Sequence, residues 1–540
     1  MNKLNFTLIF FLAVIIAKAQ PTLVKDIYPG TDAGNPTGLI RYNGKIYFSA
    51  VTPDSVDIQT ELWVSDGTAN GTQMVYDLPS SAGGSTNPYG FVVANNKLFY
   101  IGDAVGGTQV WMSDGTSSGT KIVVTASYPD IFDGTDNNLV VMGNSIYLRA
   151  IETSNFTSAI YKTDGTVPGT KRLGTSKSAT GTVNHAAVLN NNLIMFIGIN
   201  DAYGITKTDG TAGGTSEIMK FGNGIYSNMV TFNNAVYFIS DTSTLGNLEL
   251  WKTDGTKAGT VKVKEINPGN KGIIDFLENM TIAGNYLYFI ADDGTHGTEL
   301  WRTDGTTNGT TLVKDITTGI ASTNTSGLLF TVNNKVVFTA LDGSGSNYTL
   351  WASDGTLAGT EGIKQTLSNP IAPNVKNYDM ALTELLFADG DKLYATNATS
   401  SGTKLVTSCP INNGTMIINE VAYNNGMVMM NIFDSTHGNE LYRYKYTPDT
   451  ASSGIVEMRK HSHSYSVYPN PFNNEISIEG YGPSTLFDVL ILDAFGKEVY
   501  NKSQLNLHEK IIVNNLLSGM YFYSFKDKNG YQQTGKLIKQ

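Results

Sequence analysis

Short apolar runs separated by tight polar turns recur along most of this chain. One unit reads GFVVANNKLFYIGD and then QVWMSDGTSSGTKIVVT. Each half is a pair of apolar segments around a turn, at Asn95-Asn96 and at Asp114-Gly115-Thr116. Asn and Gly tolerate the positive φ of tight hairpin turns. Matching turns stand at Asn43-Gly44, Asn233-Asn234, Asn333-Asn334 and Asn424-Asn425-Gly426. Each unit is therefore expected to form two hairpins, or four antiparallel strands. The strands KLFYIG, AVYFIS, YLYFIA and KVVFTA do not alternate with polar residues. Such runs suit sheets covered on both faces.

The third strand and its turn repeat as ELWVSDGTANGT from Glu61, QVWMSDGTSSGT from Gln109, AIYKTDGTVPGT from Ala159 and GITKTDGTAGGT from Gly204. ELWKTDGTKAGT, ELWRTDGTTNGT and TLWASDGTLAGT follow from Glu249, Glu299 and Thr349. Degenerate copies start at Lys392 and Glu440, at a period of about 43 to 50 residues. Trp63, Trp111, Trp251, Trp301 and Trp351, all the tryptophans present, share one register. Tyr161, Tyr394 and Tyr442 hold it elsewhere, and Thr206 breaks it. Four-stranded units of this length, buried on both sides, predict an all-β fold: one large β-propeller of about nine blades, with the aromatic column packed between blades. The last unit stops before a fourth strand. TLVKDI at Thr22–Ile27 repeats the fourth strand of the sixth unit, Thr311–Ile316, so the N-terminal strand is expected to close the ring.

These residues resemble the ELWxxDGT repeat of secreted bacterial proteins, a likeness that implies no activity. Residues 447–465 read as a linker. Residues 466–540 predict a small Ig-like β-sandwich. This segment resembles the type A sorting domain of the type IX secretion system. The likeness rests on Tyr468-Pro469-Asn470-Pro471, on Leu516, Gly519 and Tyr521, and on Lys536-Leu537-Ile538-Lys539. It implies export to the periplasm, passage through the outer membrane of a Gram-negative bacterium by the type IX machinery, and release or attachment at the cell surface. In that family the domain is usually removed.

The N-terminus agrees with export. Residues 1–19 carry Lys3, an apolar run from Leu8 to Ala17, and an A-x-A site at Ala17-Lys18-Ala19, which predicts cleavage between Ala19 and Gln20. No other stretch is long enough to cross a bilayer. The propeller is expected to span 20–446. The single cysteine, Cys409, has no intramolecular partner, so the fold rests on packing. A net charge of -10 argues against nucleic acid and anionic membranes as partners.

Candidate chemistry is sparse. The motifs of zinc proteases, serine hydrolases, P-loops and EF-hands are missing. Cys409 has no evident activating histidine and reads as inert. Asp66, Asp114, Asp164, Asp209, Asp254, Asp304 and Asp354 recur one per blade and are expected to accept hydrogen bonds within their own turns. Spread over blades, they do not supply the 6–8 close oxygens calcium takes. Asp130, Asp133 and Asp136 share a loop without a calcium-loop spacing, and His461-x-His463 alone makes a weak metal site. His296 and His437, at equivalent places in two units, read as loop packing. No catalytic residue, metal ligand or cofactor is therefore assigned.

The Asn/Gly and D-G-T turns should share one rim of the propeller. The other rim carries dissimilar loops: Ser49–Thr60, Pro79–Gly90 and Asn267–Asn279. Varied loops on a rigid frame favour binding there, with a glycan or a protein as ligand. A secreted glycosidase or lyase on a propeller scaffold and a passive surface-coat component are the alternatives, which fold alone does not separate.

Overall fold

The computed structural model describes residues 19–53, 58–79, 84–105, 107–124, 139–152, 157–176, 186–196, 204–221, 227–240, 248–268, 280–319, 328–341, 348–368, 371, 378–381, 383–409, 417–448, 464–468, 474–481, 486–493, 497–506, 509–527 and 532–539. Two compact units divide the chain, Met1–Thr450 and Ala451–Gln540.

Among the described residues the first unit holds nine four-stranded antiparallel sheets. Eight are continuous in sequence, at residues 37–76, 89–124, 140–176, 186–220, 230–264, 281–312, 329–367 and 378–408, with strands in chain order. The ninth joins Ile417–Asn424, Met427–Asp434 and Gly438–Lys445 to Thr22–Lys25, which pairs antiparallel with Gly438–Lys445. The hairpin turns take the backbone their residues favour. Asn95, Asn96, Asn233, Asn234, Asn333 and Asn334 all have φ between 45° and 62°.

Apolar clusters lie between the sheets, and each is shared by two consecutive ones. Ala422, Met429 and Leu441 of the ninth sheet meet Leu39, Phe48 and Trp63 of the first. Ile418, Met430 and Tyr442 of the ninth meet Leu386 and Leu393 of the eighth. Seven further clusters join the remaining neighbours. An open row of nine sheets has eight interfaces; the ninth makes the row a ring, which is the architecture of a β-propeller. Every position of Ala235–Ser240 is buried, as strands covered on both faces require.

The aromatic column fills these interfaces. Trp301 packs with Tyr237 and Leu250 of the preceding sheet, and Trp251 with Ile194 and Ile205. A lysine in or just beyond the preceding fourth strand covers three of the indoles: Lys25 over Trp63, Lys264 over Trp301 and Lys314 over Trp351, at 5.3 to 5.8 Å. Beside the aromatic, the fourth strand bulges by one residue. Trp63 pairs with Met74 and Leu62 with Tyr76, which leaves Val75 as an extra, buried residue. The N-terminal strand does the same. Leu23 pairs with Tyr442 and Lys25 with Leu441, and Val24 is the buried extra residue.

In the second unit, Ser464–Tyr468, Glu475–Tyr481 and Ile511–Ile512 form one sheet. Leu486–Asp493, Glu498–Asn506, Gly519–Asp527 and Gln532–Lys539 form another. Both contribute to one core, with Ile476, Ile478 and Ile511 from the first and Phe487, Ile491, Phe525 and Leu537 from the second.

Deleting residues 20–27 should open the ring. It removes the buried Val24 and Ile27 and bares the edge of Gly438–Lys445. The expected loss exceeds about 3 kcal/mol, with self-association through the bared edge. Thermal melts and light scattering check it, and an unchanged melting temperature would show that closure contributes nothing.

Candidate functional site

The D-G-T turns are closed hydrogen-bond nets. Asp304 Oδ1 accepts the Thr306 amide at 2.8 Å and the Thr306 hydroxyl at 2.7 Å. Thr306 Oγ1 in turn accepts the Gly309 amide, and Thr310 Oγ1 donates to the Thr306 carbonyl. Thr303 Oγ1 accepts the Gly305 amide and pairs with Thr310 Oγ1. The same net surrounds Asp66, Asp114, Asp164, Asp209, Asp254 and Asp354. Asn397 stands in for Asp in the eighth sheet. Hydrogen bonds from the following Thr hold the carboxyls of Asp66, Asp114, Asp209, Asp254, Asp304 and Asp354 below their ordinary value.

Two glycines complete each turn. Gly305 has φ 96°, and a Cβ there would overlap Tyr237 Oη of the preceding sheet. A Cβ on Gly309 would overlap the Asp304 carboxylate. The turns also tie sheet to sheet. Lys252 Nζ donates to the Gly305 carbonyl at 2.8 Å, Lys207 Nζ to that of Gly255 at 3.2 Å, and the Arg443 guanidinium to that of Gly67 across the closing seam. Asn233 Nδ2 reaches the Asp304 carbonyl, and Asn333 Nδ2 that of Asn397, so both turn types lie on one rim. The partners found for these turns lie within their own loop or on the preceding sheet.

A second device was not foreseen from the repeat. The Glu that opens ELW or ELY is buried and grips the loop beyond the fourth strand. Glu440 accepts the Ile27, Tyr28 and Gly34 amides at 2.8 to 3.1 Å. Glu249 accepts the Ile266 amide, Glu299 the Thr317 amide, and Glu61 the amide and hydroxyl of Thr86. Its signal lay in the pairing of that Glu with VKDIYPG, VKEINPG and VKDITTG, at Val24, Val263 and Val313. Desolvation pushes Glu299 up to about 8 and Glu61 and Glu249 to about 7, against the opposing pull of the amide donors; Glu440 is also raised.

The remaining candidates stay apart. His296 Nδ1 pairs with Asp293 and His437 Nδ1 with Asp434, each within its own loop. Cys409 is buried and its thiol is pushed up to about 12 by desolvation. Among the described residues no three His, Cys, Asp or Glu side chains gather as a metal site. Asp130, Asp133, Asp136, His461 and His463 lie outside the described residues, as do most of Asn267–Asn279 and the leader up to Lys18. Ala19 and Gln20 precede the first strand and are exposed.

In the terminal unit, Tyr468 ends Ser464–Tyr468, while Pro469, Asn470 and Pro471 lie outside the described residues. Leu516 packs on the core. Gly519 pairs with Lys539 and Tyr521 with Leu537 on the adjacent strand, which also holds Lys536 and Ile538. Tyr521 Oη donates to the Leu517 carbonyl at 2.8 Å, and Lys539 Nζ reaches Asn474 Oδ1 at 3.3 Å. The middle and terminal motifs are thus neighbouring strands of one sheet.

Residues 466–540 match the family of secretion system C-terminal sorting domains. The terminal unit is a type IX sorting domain, which directs the chain to the cell surface or the extracellular space. No curated protein matches the chain. Among solved structures it is similar to the Dos1 propeller, at 10% identity and a TM-score of 0.39 over 77% of this chain and 94% of that one. The β-propeller domain of the Trilobed protease from Pyrococcus furiosus is another, at 10%, 0.30, 62% and 96%. A puromycin hydrolase is a third, at 11%, 0.34, 73% and 62%; the chain spans less than two thirds of that protein. None of these likenesses bears on function. Among the described residues no helix is long and apolar enough to cross a membrane.

Gly309→Ala should cost about 2–4 kcal/mol, because the new methyl displaces the Asp304 carboxylate. In the Asp304→Ala background the same change should cost clearly less, since the obstruction is gone. A double-mutant cycle by denaturant unfolding checks this, and additive losses would refute the close approach.

The buried glutamates also set a pH dependence. Their folded values lie above the ordinary 4.5, so the stability they contribute is complete below about pH 4.5 and declines as the pH rises through 7 to 8. Between about pH 5 and 8 the melting temperature should fall by a few degrees, and Glu299→Gln should flatten that slope. Equal slopes in melts across this range would exclude Glu299 as a contributor.

Proposed function

We propose that the chain, processed between Ala19 and Gln20, is a nine-bladed propeller displayed outside the outer membrane of a Gram-negative bacterium. It serves there as a binding scaffold, and its ligand meets the rim opposite the D-G-T turns. The terminal unit, read as an Ig-like sandwich, is the export signal and takes no part in binding. The observation that carries this reading is the contrast between the rims. On one, Asp or Asn, Thr and Gly satisfy each other within the turn eight times over with almost the same residues, and a Lys, Arg or Asn of the preceding sheet bonds four of these turns. A surface so uniform and so fully bonded has little left to recognise a ligand with. The opposite rim carries the dissimilar loops, each free to differ without disturbing the ring.

Capping one rim at a time tests this. The only cysteine is buried, so Ser117→Cys on the uniform rim or Val105→Cys on the opposite one can be linked selectively to a bulky maleimide polymer. Retention on a glycan array and on immobilised surface proteins should drop at least about tenfold for the Val105→Cys adduct and stay unchanged for the Ser117→Cys adduct. The reverse pattern would sink the reading.

A further inference from the structure

The seam where the ninth sheet meets the first differs from the interfaces between the other sheets. Ile417, Phe433 and Asn439 lie directly across from one another on the three inner strands of the ninth sheet, at the end nearest the varied rim. All three fall on the face turned to the first sheet, the face that carries Met429 and Leu441 deeper in the core. Toward the rim the same face stays uncovered. Phe433 is 39% exposed and Ile417 43% exposed.

Polar groups surround this apolar step, and they are amides. Asn419 Nδ2 donates to Asn439 Oδ1 at 2.9 Å, and Asn439 Nδ2 donates to Asn35 Oδ1 at 3.0 Å. Asn35, in the connector that enters the first sheet, is exposed. One layer below Phe433 on the same face, Asn431 is only 3% exposed. Its Nδ2 donates to the Pro36 carbonyl at 2.9 Å, and its Oδ1 is buried without a hydrogen-bond partner. A buried amide oxygen left bare costs free energy. Two acids of the ninth sheet are engaged, while Asp32, in the connector beside Gly438, is exposed. Glu420 accepts the Gly38 and Leu39 amides, and Asp434 accepts from His437, Tyr442 and the Thr436 amide.

We propose that the mouth of this seam binds an uncharged sugar residue of a glycan; the proposal rests on the reading that the varied rim is the binding face. A pyranose ring has an apolar C–H face and a margin of hydroxyls. Phe433 and Ile417 offer the first an apolar plate. The Asn419–Asn439–Asn35 chain offers the second both donors and acceptors. An anionic ligand would need a free cation beside the plate, and the groups that line it are uncharged amides.

The test uses the full chain and four neutral probes: maltohexaose, cellohexaose, mannohexaose and laminarihexaose, titrated calorimetrically. At least one should bind. Phe433→Ala should then weaken it about tenfold or more, Phe433→Trp should preserve it, and a Val167→Ala/Leu357→Ala variant of two exposed residues on D-G-T tips should bind as the parent does. Melting curves confirm that the variants stay folded. Silence toward all four probes overturns the neutral-sugar assignment and leaves the rim reading to its own experiment. Binding that survives Phe433→Ala overturns the seam site alone. Binding lost in the Val167→Ala/Leu357→Ala variant overturns both.

Discussion

Every sheet of the ring is apolar on both faces, so no sheet can bury its own side chains without a neighbour on each side. That requirement turns a row of similar units into a cooperative whole, because a row always leaves two faces bare. Here the last face is covered when Thr22–Lys25 pairs with Gly438–Lys445. The strand that does so comes from the other end of the propeller. Sheet nine cannot be complete until the chain as far as Lys445 is available, and the first sheet has no left-hand partner until then. Val24, the extra residue of the bulge, goes to the same cluster as Trp63 and Phe48, so closing the ladder and closing the core are one event.

Much of this was legible in the sequence because the repeat writes its backbone requirements in residues with few substitutes. Paired Asn marked the first turn of five sheets, and all of them but Asn424 adopt positive φ. The Trp column announced the inter-sheet contact, and the recurrence of TLVKDI announced the strand that completes the ring. What escaped notice was everything that depends on a neighbour the sequence cannot place. Gly309 reads as one more turn glycine until the Asp304 carboxylate is seen lying against it. Glu440 reads as a surface charge at the start of ELYRY until Ile27, Tyr28 and Gly34 turn their amides to it from more than 400 residues away in sequence. The lysine after the aromatic position looks like solvent-facing charge until it meets the carbonyl of the next sheet's glycine, as Lys252 does after Trp251 and Lys207 after Thr206. In the terminal unit, the order of the motifs was visible, while the side-by-side pairing of Tyr521 with Leu537 was not.

The same economy separates structure from function. The aspartates of the D-G-T turns are each held by their own threonine, and those bonds favour the ionised carboxyl. The buried glutamates are the opposite case, kept from ionising easily by the desolvation that their latching role demands. Both sets perturb proton affinities, as catalytic acids do, yet each acid faces backbone rather than another acid. A perturbed carboxyl is a functional signal only when something converges with it. In this ring the repeat spreads the acids around the circumference.

A repeat also limits where selectivity can arise. A feature copied into every sheet presents many equivalent places, none distinguished from the next, and it cannot change without cost to packing at each copy. A site for one ligand therefore belongs where the copying fails. The seam is such a place, since its fourth strand comes from the N-terminus and its connector, residues 26–36, enters the first sheet from that strand. There the latch of Glu440 reaches as far as Gly34, the loop passes so close that a Cβ on Gly438 would meet the Asp32 carbonyl, and Asn35 is drawn onto Asn439. The contacts that close the ring thus also fix the amides around Phe433. Closure and recognition then depend on the same few residues, and the rim can hold a preformed site only in a chain whose ring is shut.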